Sequence, residues 1–220
     1  ATRCGGLRVA KRTPVVRKLG RPRDVDSSDT RQKLLEVARR IFARDGYGAT
    51  TNRSIADEAG ITTGAIYHYF PSKAELYVGV YEVVLKIVAD NFDAAIAAPG
   101  SLLVRFSRAL DTASNLNRSD SSIAGFLVGV PRELQRHPEL TDLIRALRTH
   151  APTFVARLVS EAAAAGELRP DVQPRAVEDL LNAVLSGLAT FSTVSGDAER
   201  HHGSIRALQQ LLAGELVAPA

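Results

Sequence analysis

An all-α fold is predicted, and two observations carry the prediction. Apolar residues recur at helical spacing from Leu34 to Leu216, with no convincing run of alternating strand character between them. In the middle of the N-terminal third, Thr50 to Lys73 reads T-T-N-R-S-I-A-D-E-A-G-I-T-T-G-A-I-Y-H-Y-F-P-S-K, a short helix, a sharp turn and a second short helix. The expected architecture is an N-terminal three-helix bundle containing a helix-turn-helix, followed by a C-terminal all-helical region. The divisions are a basic flexible arm at 1–29, the helix-turn-helix domain at 30–72 and the all-helical domain at 73–220.

The arm holds eight basic residues, three glycines and two prolines, with no helical or strand period. Within it, Gly20-Arg21-Pro22-Arg23 is similar to arms that lay arginine into a narrow minor groove. Arg21 and Arg23 are therefore candidate DNA contacts, and a solvated leader giving only phosphate attraction is the other reading. The first helix opens at Asp29 or Thr30, carries Leu34, Leu35, Ala38, Ile41 and Phe42 as a buried stripe, and stops at Gly46. Thr51 or Asn52 caps the next helix, whose apolar side is Ile55, Ala56 and Ala59. Gly60 supplies the left-handed residue that ends it. Thr62 can accept from the free N–H groups of a helix running from Thr63 to about Tyr69, which Pro71 forbids to continue.

Angular arithmetic sets the faces of that helix. At about 100° per residue Ile66 and Phe70 share the buried side, which leaves Gly64 and His68 opposite, flanked by Ala65 and Tyr67. The outward face is small and polar, as a helix lying in a major groove requires. There Thr63 and His68 can reach base edges, and Tyr67, Tyr69 and Lys73 can bond phosphates.

These residues carry a resemblance. Arg31 to Leu76, about 46 residues, is similar to the DNA-binding domain of the TetR family of bacterial transcription regulators. The matching features are Asp45-Gly46-Tyr47, Ile55-Ala56 with Ala59-Gly60-Ile61, and Gly64 to Phe70 with Ser72-Lys73. The resemblance implies that Thr63, Gly64 and His68 face bases while Thr51, Tyr67, Tyr69 and Lys73 hold phosphates. With Arg53, Thr62 and Ala65 at the same surface, these complete the candidate DNA-binding set. It also implies a bacterial, cytoplasmic protein, nucleoid-associated when bound, that meets palindromic double-stranded DNA as a homodimer.

Charge agrees. Residues 1–73 hold 15 Lys or Arg against 7 Asp or Glu, and the rest hold 13 against 17. A basic front and an acidic back is the asymmetry expected when one part meets nucleic acid. Cys4 is the only cysteine, so there is no disulfide framework, and no apolar run reaches the length of a membrane span. Neither a phosphate-binding loop nor a nucleophile elbow is present, and an enzyme is not expected. No cofactor or metal is implied. Adjacent His201 and His202 point about 100° apart on a helix and read as solvated surface.

The three-helix bundle is too small to stand alone and must lean on a helix from Lys73 to about Ala97, ended by Pro99-Gly100. Further patterns follow: Leu102 to Ala113; Ile123 to Leu134, interrupted by Pro131; and Leu140 to Ala162, kinked near Pro152 and ended by Gly166. A helix beginning at Pro174 and a last one over about Ala198 to Leu216 complete the chain.

By the resemblance, the last two helices form a four-helix bundle with a second subunit. That bundle would use Leu180, Leu181, Val184, Gly187, Leu188, Phe191, Ile205, Leu208 and Leu212. The helices before them would surround a pocket for an unidentified small apolar effector. Its candidate lining is Tyr81, Phe92, Phe106, Asn115, Phe126, Val130, Leu147, His150, Phe154 and Leu158, with Asn117 a further polar contact. The alternative function is a constitutive or architectural dimeric DNA binder with a solid C-terminal core, and a cavity there discriminates between the two.

Overall fold

The computed structural model describes residues 23–147 and 153–218. Within them lie ten helices and no strand: α1 (Arg23–Ala49), α2 (Asn52–Ala59), α3 (Thr63–Tyr69), α4 (Lys73–Ala97), α5 (Leu102–Ser119), α6 (Ser121–Arg136), α7 (Pro138–Leu147), α8 (Phe154–Ala164), α9 (Pro174–Ser195) and α10 (Ala198–Ala213). No helix among the described residues is long and apolar enough to cross a membrane.

Helix boundaries follow local chemistry. Thr51, Thr62, Ser72, Ser101 and Thr153 each turn a hydroxyl back onto a free N–H of the helix that follows. Gly46, at φ 77°, breaks the first helix where the sequence reading ended it. The start of α1 differs from that reading: helix begins at Arg23, within the stretch assigned to the flexible arm. Between Pro22 and Gly46 there is neither proline nor glycine, so nothing in the backbone stops the helix from running back that far. Likewise the pattern read as one helix kinked near Pro152 is two, α7 and α8, and Thr153 caps the second. Pro131 sits inside a continuous α6.

Two hydrophobic cores result. The first joins Leu34, Ile41, Phe42, Ile55, Ile66 and Phe70 of the N-terminal bundle to Leu76, Tyr77 and Val84 of α4, and also to Ile123, Phe126 and Val130 of α6 and to Leu140 and Ile144 of α7. Tyr77 lies 5.0 Å from the Phe42 ring and 4.9 Å from that of Phe126. The bundle therefore leans on α6 as well as α4. Lys73, placed at the domain boundary in the sequence reading, marks the start of a helix rather than a gap in packing.

The second core holds Phe92, Phe106, Leu110, Val155, Leu158, Leu181 and Ile205 from the far end of α4 and from α5, α8, α9 and α10. Between α1 and α6, the buried Arg39 donates to Ser122 Oγ at 3.0 Å and pairs with Asp120, whose carboxylate caps α6.

Candidate nucleic-acid interface and ligand cavity

The turn between α2 and α3 is built as a helix-turn-helix must be. Thr51 Oγ1 accepts from Ser54 N at 3.0 Å while Ser54 Oγ accepts from Thr51 N at 3.2 Å, a reciprocal cap that fixes the start of α2. At its end Gly60 sits at φ 69°, ψ 34°, and the N–H of Ile61 reaches back to Ala56 O at 3.0 Å. Thr62 Oγ1 then accepts from Ala65 N at 3.2 Å and opens α3. Ile66 and Phe70 are buried, as the angular argument requires.

The opposite side of α3 is open. Gly64, Tyr67 and His68 are exposed, Thr63 and Ala65 are half-buried, and Thr51, Arg53 and Thr62 lie exposed on the adjoining surface. Gly64 is informative because the fold does not demand it. A Cβ there would meet nothing nearer than Thr62 Oγ1 at 3.8 Å, an ordinary contact. Tyr69 is half-buried, packed on the first core with its ring 5.2 Å from that of His68.

Lys73 is a correction. Its ammonium donates to Tyr47 O and Thr50 O, both at 2.8 Å, and lies 4.1 Å above the Tyr47 ring. Burial lowers its pKa, opposed by the charges of Glu139 and Glu133. It ties the end of α1 to the start of α4 instead of standing free for a phosphate. Arg21 lies outside the described residues, and of Arg23 only its place at the head of α1 is described.

A cavity of about 380 Å³ lies among α4, α5, α6, α8, α9 and α10. Phe92 and Phe154 line it, with ring centroids 4.4 Å apart. Asn117 lines it too, and the other proposed lining residues do not. Phe106 and Leu158 fill the second core, Phe126 and Val130 fill the first, and Tyr81 packs half-buried against the first. Asn115 faces outward and accepts from Arg118, and Leu147 at the end of α7 is away from the cavity. His150 lies outside the described residues. Periodicity identifies a buried face but not what it is buried against, and that is where the reading failed.

The residues missed are Val88, Ile123 and Leu127, with Asn182 and Ser186 from α9 and His201 from α10. The histidine pair is also corrected. His201 is only 2% exposed, and its Nδ1 lies 3.3 Å from Asn117 Nδ2. His202 Nδ1 lies 2.9 Å from Ser114 Oγ. Both histidines face α5, where Ser114 and Asn117 stand one helical turn apart. The sequence signal was there to find, since two polar side chains one turn apart on α5 need partners when that side is buried.

Of the proposed dimer residues, Leu181 and Ile205 are buried in the second core of their own chain, and Leu188 lines the cavity. Val184, Leu208 and Leu212 pack partly against that core, and Phe191 is half-buried beneath Arg200. Leu180 (61% exposed) and Gly187 remain open, as do Val194 (81%) and Leu211 (56%).

With this geometry in hand, the relationship to known proteins is direct. Residues 34–80 match the bacterial regulatory proteins of the tetR family. That match spans the helix-turn-helix and the start of α4. The HTH-type transcriptional regulator UidR of Escherichia coli K12 is 22% identical over 196 residues, 88% of this chain and 96% of that protein. The HTH-type transcriptional repressor KstR2 of Mycobacterium tuberculosis H37Rv is 54% identical over 46 residues, 21% of this chain and 23% of that one. Among solved structures, the transcriptional regulator FadR of Bacillus subtilis, in complex with stearoyl-CoA, superposes with a TM-score of 0.67 at 15% identity over 84% of this chain and 99% of its own. The same all-helical architecture therefore extends through the C-terminal helices.

Proposed function

We propose that the protein is a ligand-responsive repressor that binds a palindromic operator as a homodimer and is released when a small, mostly apolar effector enters the cavity. The observation that carries the DNA-binding half is the open α3 face, where Gly64 leaves room that no protein atom uses and His68 stands exposed beside it. Thr51, Arg53 and Tyr67 are exposed on the adjoining surface and carry groups that bond phosphates. One short helix reads few base pairs, so two copies related by a two-fold axis are needed. The uncovered Leu180, Gly187, Val194 and Leu211 on α9 and α10 supply an apolar surface for that contact.

The cavity favours effector control over the architectural reading, which needs a solid core. Its wall includes Ile123, Ala124, Leu127 and Val128 of α6, and the same helix packs against α1 and is held to it by the Arg39–Asp120 pair. A ligand that displaces α6 therefore moves the bundle that carries α3.

The test is binding of the purified protein to DNA from its own upstream region, with competitor DNA and at several salt concentrations. His68→Ala is expected to lose about 1–3 kcal/mol on the specific site while keeping its non-specific affinity. Binding that is equal on every sequence and disappears with salt would replace the repressor with an architectural protein.

A further inference from the structure

A second cleft, of about 650 Å³, lies beside the apolar cavity and shares Asn117 and Ser192 with it as a wall. Here the end of α5, the start of α6 and the turn between α9 and α10 meet α1. Five charged side chains line it: Arg40 and Arg44 from α1, Arg118 from α5, and Asp120 and Asp197, which cap α6 and α10. On a bare count these charges nearly cancel. Their pairing says otherwise.

Both acids are already engaged. Asp120 pairs with the buried Arg39 and accepts from Ser122 N at 3.0 Å and Ser122 Oγ at 2.6 Å. Asp197 accepts from Glu199 N at 2.9 Å and Arg200 N at 3.1 Å in the first turn of α10. Arg44 is matched by Asp45 at 3.0 Å and Glu58 at 3.4 Å. Two guanidinium groups are left over. Among the described residues neither Arg40 nor Arg118 pairs with a carboxylate, and Arg118 donates to the neutral amide of Asn115 at 2.9 Å. Both are exposed, on different helices that share one cleft, so their like charges repel across it. The N-terminal ends of α6 and α10 open into the same space and add potential of the same sign.

From this imbalance we propose that the cleft binds a small multivalent oxyanion, a phosphate-bearing or polycarboxylate metabolite, held between Arg40 and Arg118 with the Ser121 hydroxyl on the wall as a further donor. The planar fork of arginine matches carboxylate and phosphate oxygens two at a time, and one anion with several such oxygens can serve two forks where chloride cannot. The volume lies within the range of small-molecule sites. A bound anion joins α1, part of the bundle that carries α3, to the end of α5, beside the Arg39–Asp120 pair that already ties α1 to α6. This site is separate from the apolar cavity and requires no occupant there.

The experiment follows thermal unfolding of the full chain by circular dichroism as sodium pyrophosphate is added, and sodium citrate in a second arm, with ionic strength held constant by sodium chloride. Binding to the folded state should raise Tm by about 3–5 °C for each tenfold rise in free anion beyond half-saturation. The double variant Arg40→Gln/Arg118→Gln, altered at two exposed positions, should lose that dependence. Arg136→Gln removes the same charge from the other end of α6 and should keep it. A response to either anion that the double variant loses supports the site, and the larger of the two names the class. A Tm that does not move would overturn the proposal. So would an equal rise in the double variant, the mark of anions excluded from the protein surface or drawn to the basic N-terminal segment. Should the double variant fail to fold, Arg118→Gln alone decides by the same criterion.

Discussion

Alanine at Gly79 sets two effects of opposite sign against each other. Gly79 is in the interior of α4, where glycine costs a helix about 1 kcal/mol relative to alanine, so the substitution ought to stabilise. Packing says otherwise. A Cβ at this position would stand 2.8 Å from Phe70 Cε1 and 3.4 Å from Leu35 Cδ2, both on buried side chains. Phe70 cannot swing aside freely, because its ring is covered by the Arg31 guanidinium at 5.0 Å and its backbone N–H is bonded to Ile66 O at 2.9 Å. Overpacking of this kind costs about 1–3 kcal/mol, so the net expectation is a loss of up to about 2 kcal/mol. For a chain of this length that is a fall of up to about 8 °C in Tm, read by circular dichroism at 222 nm, the standard helical signal. Because Phe70 ends the segment that carries α3, affinity for the operator should fall further than stability does. Gly129→Ala is the control: it lies inside α6 with nothing within 4 Å of its would-be Cβ, and should raise Tm. A Gly79→Ala protein as stable as the wild type, with undiminished DNA binding, would refute the claim that α3 is wedged against α4 at this point.

Three further outcomes follow from contacts of the same kind. Lys73→Met should lose about 1–3 kcal/mol in denaturant unfolding, because Tyr47 O and Thr50 O lose a charged donor. The salt dependence of its DNA binding should match the wild type, whereas a slope reduced by about one would return Lys73 to the phosphates. The pKa of His201 is lowered in the folded chain, so below the ordinary histidine value near 6.5 the unfolded state binds the extra proton; stability should fall as pH drops through about 6.5 and downward, and His201→Gln should flatten that slope in a Tm series. Gly187→Arg places a long charged side chain where the single chain has nothing within 4 Å; it should fold normally, sediment as a monomer and lose operator affinity, and a variant that remains a dimer would move the subunit contact elsewhere.

The N-terminal third was legible almost residue by residue because its signals are local. A capping hydroxyl, a left-handed glycine and a proline stop each act within about four residues, and in α2 and α3 they fall where the sequence places them. Ile66 and Phe70 go inside because they share one face of a helix too short to have two buried faces. Lys73 was misread for a reason of range: the carbonyls it binds belong to Tyr47 and Thr50, more than twenty residues earlier, and no local pattern reports such a partner.

The C-terminal half fails in the opposite way. Its helices are buried on more than one side, so an apolar stripe cannot say whether it meets the first core, the second core, the cavity or another subunit. Phe126 and Leu127 are neighbours on α6, yet one packs on Tyr77 in the core shared with the DNA-binding helices and the other lines the cavity. That ambiguity is a consequence of what α6 does. A helix that walls a cavity with one face and supports α1 with the next must be apolar around most of its circumference. The distinguishing marks are then the polar exceptions: Asp120 and Ser122 at its start, which hold Arg39. Buried polar residues in such a region, Asn117 and His201 among them, report their neighbours better than the aromatics do, because an apolar side chain is content against any wall while an amide or imidazole must face a partner.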